Sequence, residues 1–68
     1  MTETKTPIYR KARQDAEVRA ETAASMLGVS ITTLLNWERG DTTPNADNIR
    51  DMARLYRVSS DYLLGLGA

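Results

Sequence analysis

Small and apolar residues recur three and four positions apart in five short blocks, each bounded by residues that start or stop helices. Ile8, Tyr9, Ala12 and Ala16 form the first, with Arg10, Lys11, Arg13 and Gln14 on its wetter face. Thr6-Pro7 reads as an N-cap followed by proline at the first helical position, so the first helix is expected to begin there. The chain then turns near 16–19, with Val18 plugging the core. A second helix is expected over about 20–27 and a third over about 31–38, closed by Gly40 in a left-handed conformation. Asp41 to Pro44 reads as loop. Asn45 caps a fourth helix whose Ile49, Met52, Ala53 and Tyr56 share one buried face, with Arg50, Asp51, Arg54 and Arg57 outward. Val58 anchors the next turn, Ser59 caps a fifth helix carrying Tyr62, Leu63 and Leu64, and Gly65 ends it. Residues 1–5 and 66–68 read as flexible tails, which leaves 6–65 as one domain. No alternating run of strand length and no repeat competes with this all-α reading.

The second and third blocks carry the most information. Ala23, Leu27, Val29, Leu34 and Trp37 would face inward, Ala24 is small enough for two backbones to approach, Gly28 opens the turn and Ser30 caps the third helix. A glycine followed by a cap punctuates many helix pairs. Five apolar sites, a close-packed alanine and that punctuation at one spacing specify a helix-turn-helix over residues 20–39. In such a motif the first helix crosses the DNA backbone and the second lies in the major groove. Double-stranded DNA is therefore the expected partner, and residues 30–39 the place to look for function.

Composition narrows the alternatives. A chain of 68 residues buries only about 60% of the surface its unfolded form exposes, so its stability is expected to be marginal. The absence of cysteine rules out a disulfide framework and fits a reducing compartment. Without His or Cys, only scattered carboxylates remain as ligands, with no calcium-loop spacing; no metal, cofactor or small-molecule ligand is expected. The same lack leaves no nucleophile and base set, so the chain is not expected to be an enzyme. Apolar runs never exceed three residues and the start, MTETKT, lacks the apolar core of a signal peptide. A cytoplasmic protein without membrane association is expected. Charge argues the other way from the motif. Nine Lys and Arg balance nine Asp and Glu, whereas a nucleic-acid binder is usually basic. The first nineteen residues carry a small basic excess through Lys5, Arg10, Lys11, Arg13 and Arg19.

Four segments carry a resemblance: Arg13 in the first helix, LGVS at 27–30, WERG at 37–40 with Pro44 beyond it, and VSSDYLLG at 58–65. From Arg10 to Gly65 the chain resembles the Cro-like helix-turn-helix family, which includes lambdoid phage repressors and many bacterial and plasmid regulators. The resemblance implies a compact five-helix, lambda-repressor-like domain binding operator DNA, usually as a homodimer on a palindromic site. It also implies an ion pair between Arg13 and Glu38 that ties the first helix to the end of the recognition helix and helps aim Arg39 at phosphate. The base-reading positions fall on Ile31, Thr32, Leu35 and Asn36, with Thr33 turned towards the second helix. Asn36 could bond adenine N6 and N7, Thr32 a base or phosphate, and Ile31 and Leu35 could pack on thymine methyls.

Three positions depart from the family pattern. Arg19-Ala20 replaces a cap followed by glutamine, so a capping group and a phosphate-binding amide are missing and Arg19 compensates only through charge. Asp41-Thr42-Thr43 replaces a loop that often holds cations; Asp41 would repel phosphate, while Thr42, Thr43 and backbone amides remain as donors. Glu17 stands where glycine is common, which puts the first turn in question. The expected function is a sequence-specific DNA-binding transcriptional regulator, a repressor of phage, plasmid or mobile-element type. The competing reading keeps the fold as an antitoxin-like or anti-repressor-like module binding a partner protein through Ile31 and Leu35, or through the last two helices. Tyr62, Leu63, Leu66 and their neighbours near the carboxyl end are the candidate dimer contacts, with Leu63 equally readable as core.

Overall fold

The structure, a computed structural model, describes residues 8–65 and contains five helices there: α1 (Tyr9–Asp15), α2 (Ala20–Leu27), α3 (Ile31–Arg39), α4 (Ala46–Tyr56) and α5 (Ser60–Leu64). The first begins later than expected: Ile8 is its N-cap, without a side-chain cap. Thr6, Pro7, the two tails and Leu66 lie outside the described residues. The remaining starts reflect local chemistry. Ser30 Oγ accepts from the Thr33 amide at 3.1 Å, Asn45 Oδ1 from the Asn48 amide at 2.8 Å, and Ser59 Oγ from the Tyr62 amide at 3.0 Å. Each satisfies a donor that the first helical turn leaves without a partner. Arg19 stands at the N-cap of α2 and provides no such bond.

The helices share one way of stopping. After α2, Gly28 adopts φ 74°, its amide bonds Ser25 O and the Val29 amide bonds Ala24 O. That pairing is the Schellman arrangement, which requires a left-handed residue. Glycine is favoured there by the dihedral alone, because a Cβ at Gly28 would meet nothing within 4 Å. Two helices stop with a side chain at that position. Glu17 has φ 60° after α1, with its amide on Gln14 O and that of Val18 on Arg13 O, and Arg57 has φ 61° after α4. The turn questioned at Glu17 therefore keeps its left-handed geometry despite the side chain.

The turns after α1, α2 and α4 each drop a partly buried aliphatic residue, Val18, Val29 and Val58, onto a shared core. Leu34 and Met52 at its centre are fully buried, and Tyr9, Trp37, Ile49, Tyr56 and Leu63 surround them. Ala12, Ala23, Ala24 and Ala53 are also buried. Their small side chains let α2 pack closely on α3, while α4 packs on α5. Leu63 is core, which leaves half-buried Tyr62 and its exposed neighbour Leu64 as the described candidates for a dimer contact. Among the described residues no helix is long and apolar enough to cross a membrane.

Two substitutions probe this packing. Trp37→Ala empties the middle of the small core and should cost about 3–5 kcal/mol, enough to leave little folded protein by circular dichroism. Glu17→Gly should raise the urea midpoint. The left-handed residue with a Cβ costs about 1–2 kcal/mol, and the freer unfolded glycine chain offsets only about 0.4–1 of it. A lower midpoint for the glycine variant would mean that Glu17 is held by interactions other than the turn.

Candidate nucleic-acid interface

α3 buries Leu34, Trp37 and Glu38, residues at i, i+3 and i+4 on one face. A helix that commits those positions to the core turns 32, 36 and 39 away from it and leaves 31 and 35 on its flanks. Ile31, at 43% exposure, and Thr32 stand in solvent, whereas Leu35 and Asn36 are half-buried at the edge. The apolar pair expected at Ile31 and Leu35 is thus a single exposed side chain beside a partly covered one. Ser30 and Thr33 are joined in the cap, where Ser30 Oγ also donates to Thr33 Oγ1 at 3.0 Å.

Glu38 is the unusual residue on the inner face, a carboxylate with no exposed surface. Arg13 meets it side-on: Nε donates to Oε2 at 2.6 Å and Nη2 to Oε1 at 3.1 Å. The remaining arm, Nη1, donates to Val18 O at 3.0 Å, so one guanidinium ties α1, the adjoining turn and α3 together. Its hydrogen bonds to Glu38 raise the Arg13 pKa above its ordinary value, overcoming the opposing effect of burial. Arg10, one turn earlier on α1, places Nε 3.8 Å from Glu38 Oε1 while half of its side chain stays in solvent. Arg10 was not among the expected site residues; its i, i+3 spacing from Arg13 was the available signal.

Tyr56 completes this buried group. Its hydroxyl is enclosed without a hydrogen-bond partner. Burial, reinforced by the Glu38 charge and opposed by Arg13, pushes its pKa up from 10.0 to about 12.

The end of α3 differs from expectation. Arg39, expected to face phosphate, donates from Nε to Asp41 Oδ2 at 3.1 Å and from Nη2 to Asn36 Oδ1. The amides of Asp41 and Thr42, expected as phosphate donors, turn back to Asn36 O at 2.9 and 3.5 Å. With the Gly40 amide on Trp37 O at 3.1 Å, the Asp41 bond closes the helix by the same stop seen after α2, and the Thr42 amide adds a longer contact to the same carbonyl. The hydroxyls of exposed Thr42 and Thr43 remain at the loop surface. Arg19 is exposed beside the start of α2.

Two short helices joined through a left-handed glycine, the second held by a buried ion pair and turning one edge outward, define a helix-turn-helix domain. A helix-turn-helix family profile matches residues 10–63, and the chain belongs to that family, the Cro-like group its sequence resembles. It is 39% identical over 56 residues to the HTH-type transcriptional regulator ImmR of Bacillus subtilis (strain 168), a match covering 82% of this chain and 44% of that protein. It is 34% identical over 55 residues to repressor protein C2 of Salmonella phage P22, covering 81% of this chain and 26% of that one. The chain thus spans less than half the length of either curated relative. Among solved structures, the solution structure of the P22 c2 repressor DNA-binding domain matches with a TM-score of 0.81 at 31% identity, over 93% of this chain and 86% of that one. A crystal structure of P22 c2 repressor in complex with synthetic operator 9T also matches at 0.81, with 30% identity, over 97% of this chain and 100% of that one.

The buried cluster can be tested by stability alone. Glu38→Ala strands Arg13 and should cost about 3 kcal/mol in urea unfolding, where the penalties for an unpaired charged donor and a broken buried pair meet. A loss of a few tenths, typical of an exposed pair, would remove its structural role. Tyr56→Phe removes a hydroxyl that has no partner and should leave stability equal or higher. In the parent chain the unfolded tyrosine loses its proton near pH 10 while the folded one keeps it to about 12. The folded state then holds more protons, and stability should fall through that window. Tyr56→Phe should flatten the fall.

Proposed function

We propose that this chain is the sequence-specific DNA-binding domain of a transcriptional regulator, a repressor of phage, plasmid or mobile-element type, acting as a homodimer on a palindromic operator. The observation that carries the reading is the match of an operator-bound repressor domain to nearly the whole chain, with Ile31 and Thr32 of α3 left in solvent. α3 enters the major groove. Ile31 packs on a thymine methyl, Thr32 bonds a base or phosphate, and Leu35 and Asn36 line the edge of the contact. Arg19 and Arg10 take phosphates on either side, joined by the Thr42 and Thr43 hydroxyls. The reading gives the chain no enzymatic role. The partner-protein alternative had two candidate surfaces, Ile31 with Leu35 or the last two helices; the first is weakened because Leu35 is half-buried, and the operator-bound neighbour favours DNA over either.

Selection from random duplex DNA tests the proposal, with enriched inverted repeats as the expected result. If each subunit neutralises about two phosphates, the slope of log affinity against log salt for a dimer should be near −3 to −4. Arg19→Ala should flatten that slope and weaken all sequences alike. Asn36→Ala should leave the slope unchanged and cost about 1–3 kcal/mol on the selected operator only. Absence of binding to any duplex at low salt, together with a protein partner whose capture depends on Ile31, would overturn the reading.

A further inference from the structure

Arg39 is the last residue of α3 and lies three positions beyond Asn36, so the two side chains share one face. A guanidinium carries donors only, which means the atom of Asn36 that faces it must be the amide oxygen. Asp41 holds the other side of Arg39 at 3.1 Å, and the sequence carboxylate, guanidinium, amide forms one hydrogen-bonded row. The loop is fixed from below as well, because the Asp41 amide bonds the Asn36 carbonyl at 2.9 Å. Asn36 therefore has one lone pair of its oxygen engaged by a cation, which stands beside any second donor to that oxygen, and its NH2 group left for an incoming base.

An asparagine that reads adenine needs the reverse: its oxygen must accept from N6 while its NH2 donates to N7. We propose that Arg39 and Asp41 lock Asn36 as a hydrogen-bond donor, so that this position selects guanine, through N7 and O6, over adenine. The inference rests on the DNA-binding function proposed for the chain. Two effects carry it. A charge-assisted bond is about twice as strong as a neutral one, so adenine N6 does not displace the guanidinium from Oδ1. The N6 amino group would also bring its positive hydrogens towards a cation, whereas the guanine edge presents two acceptors to it. In free protein the row is open to water, with Arg39 and Asp41 more than half exposed, and adds little stability. Once DNA closes over it, the lower local dielectric strengthens each bond at the moment of reading.

The test is random-site selection and fluorescence anisotropy on the parent chain and on Arg39→Ala, Asp41→Ala and Asn36→Ala. The parent should enrich guanine at one position per half-site, and 7-deazaguanine there should weaken binding about tenfold. Arg39→Ala frees Oδ1 and should move the preference at that same position to adenine. Asp41→Ala should weaken the guanine preference and steepen the salt slope by about 1 per subunit, as Arg39 becomes free to meet phosphate. Asn36→Ala should abolish the preference there and keep it elsewhere. Adenine enriched by the parent chain, or guanine retained in Asn36→Ala, overturns the lock while leaving the DNA-binding reading intact; the second result would mean that Arg39 reads the base itself. A pool that enriches no sequence overturns both.

Discussion

The orientation of α3 depends on one buried carboxylate. Glu38 has no contact with solvent, and Arg13 satisfies both of its oxygens from a different helix. An apolar pair of similar volume would fill the space, often without loss of stability, but would not prescribe an angle. A side-on guanidinium does, because its two N–H donors and two acceptor oxygens coincide in only one alignment. The third arm, on Val18 O, extends that alignment to the turn after α1. The helix proposed to read bases is thereby referenced to the amino-terminal helix as well as to α2, against which it packs. With Tyr56 enclosed beside the pair and no partner for its hydroxyl, the polar cluster is not arranged for maximal stability. Its consistent feature is geometric definition.

Much of the fold was legible because its punctuation is local. Ser30, Asn45 and Ser59 cap helices through a bond to an amide three residues on, and Gly28, Gly40 and Gly65 stop helices because their dihedrals exclude most side chains. Those signals need no tertiary information. Where the chain stops a helix without glycine, at Glu17 and Arg57, composition carries no signal. The packing of Val18 and Val58 against the core accompanies the left-handed turns there instead.

The candidate surface was less legible, for a related reason. Helical spacing separates an inner face from an outer one and correctly put Leu34 and Trp37 inside, but it cannot say how far a neighbouring element covers a residue at the border. Leu35 and Asn36 lie on that border and are half-buried. The row from Asp41 through Arg39 to Asn36 was hidden for another cause. Residues two and three apart at a helix end can be independent or bonded, and only side-chain conformation decides which. Arg10 shows the same blindness from the other side, since its approach to Glu38 depends on how α1 crosses α3.

Neutrality, which argued against nucleic acid from composition, has a more specific meaning in the structure. Lys11 is paired with Asp15, Arg39 with Asp41, and Arg50 lies near Asp47 and Asp51. Part of the zero sum therefore describes charges engaged with one another, while among the described residues Arg19, Arg54, Arg57 and half of Arg10 face water. Affinity for phosphate in general scales with the number of neutralised charges, and that term is blind to sequence. A domain with few such charges holds random DNA weakly. What a regulator requires is the ratio between its site and the excess of competing sites, and a term that acts on all sequences alike lowers both affinities and leaves that ratio to the base contacts. Near-zero net charge is then compatible with DNA binding on one condition: the outward edge of α3 must supply most of the discrimination, which makes the orientation set by Arg13 and Glu38 matter more here than in a strongly basic domain.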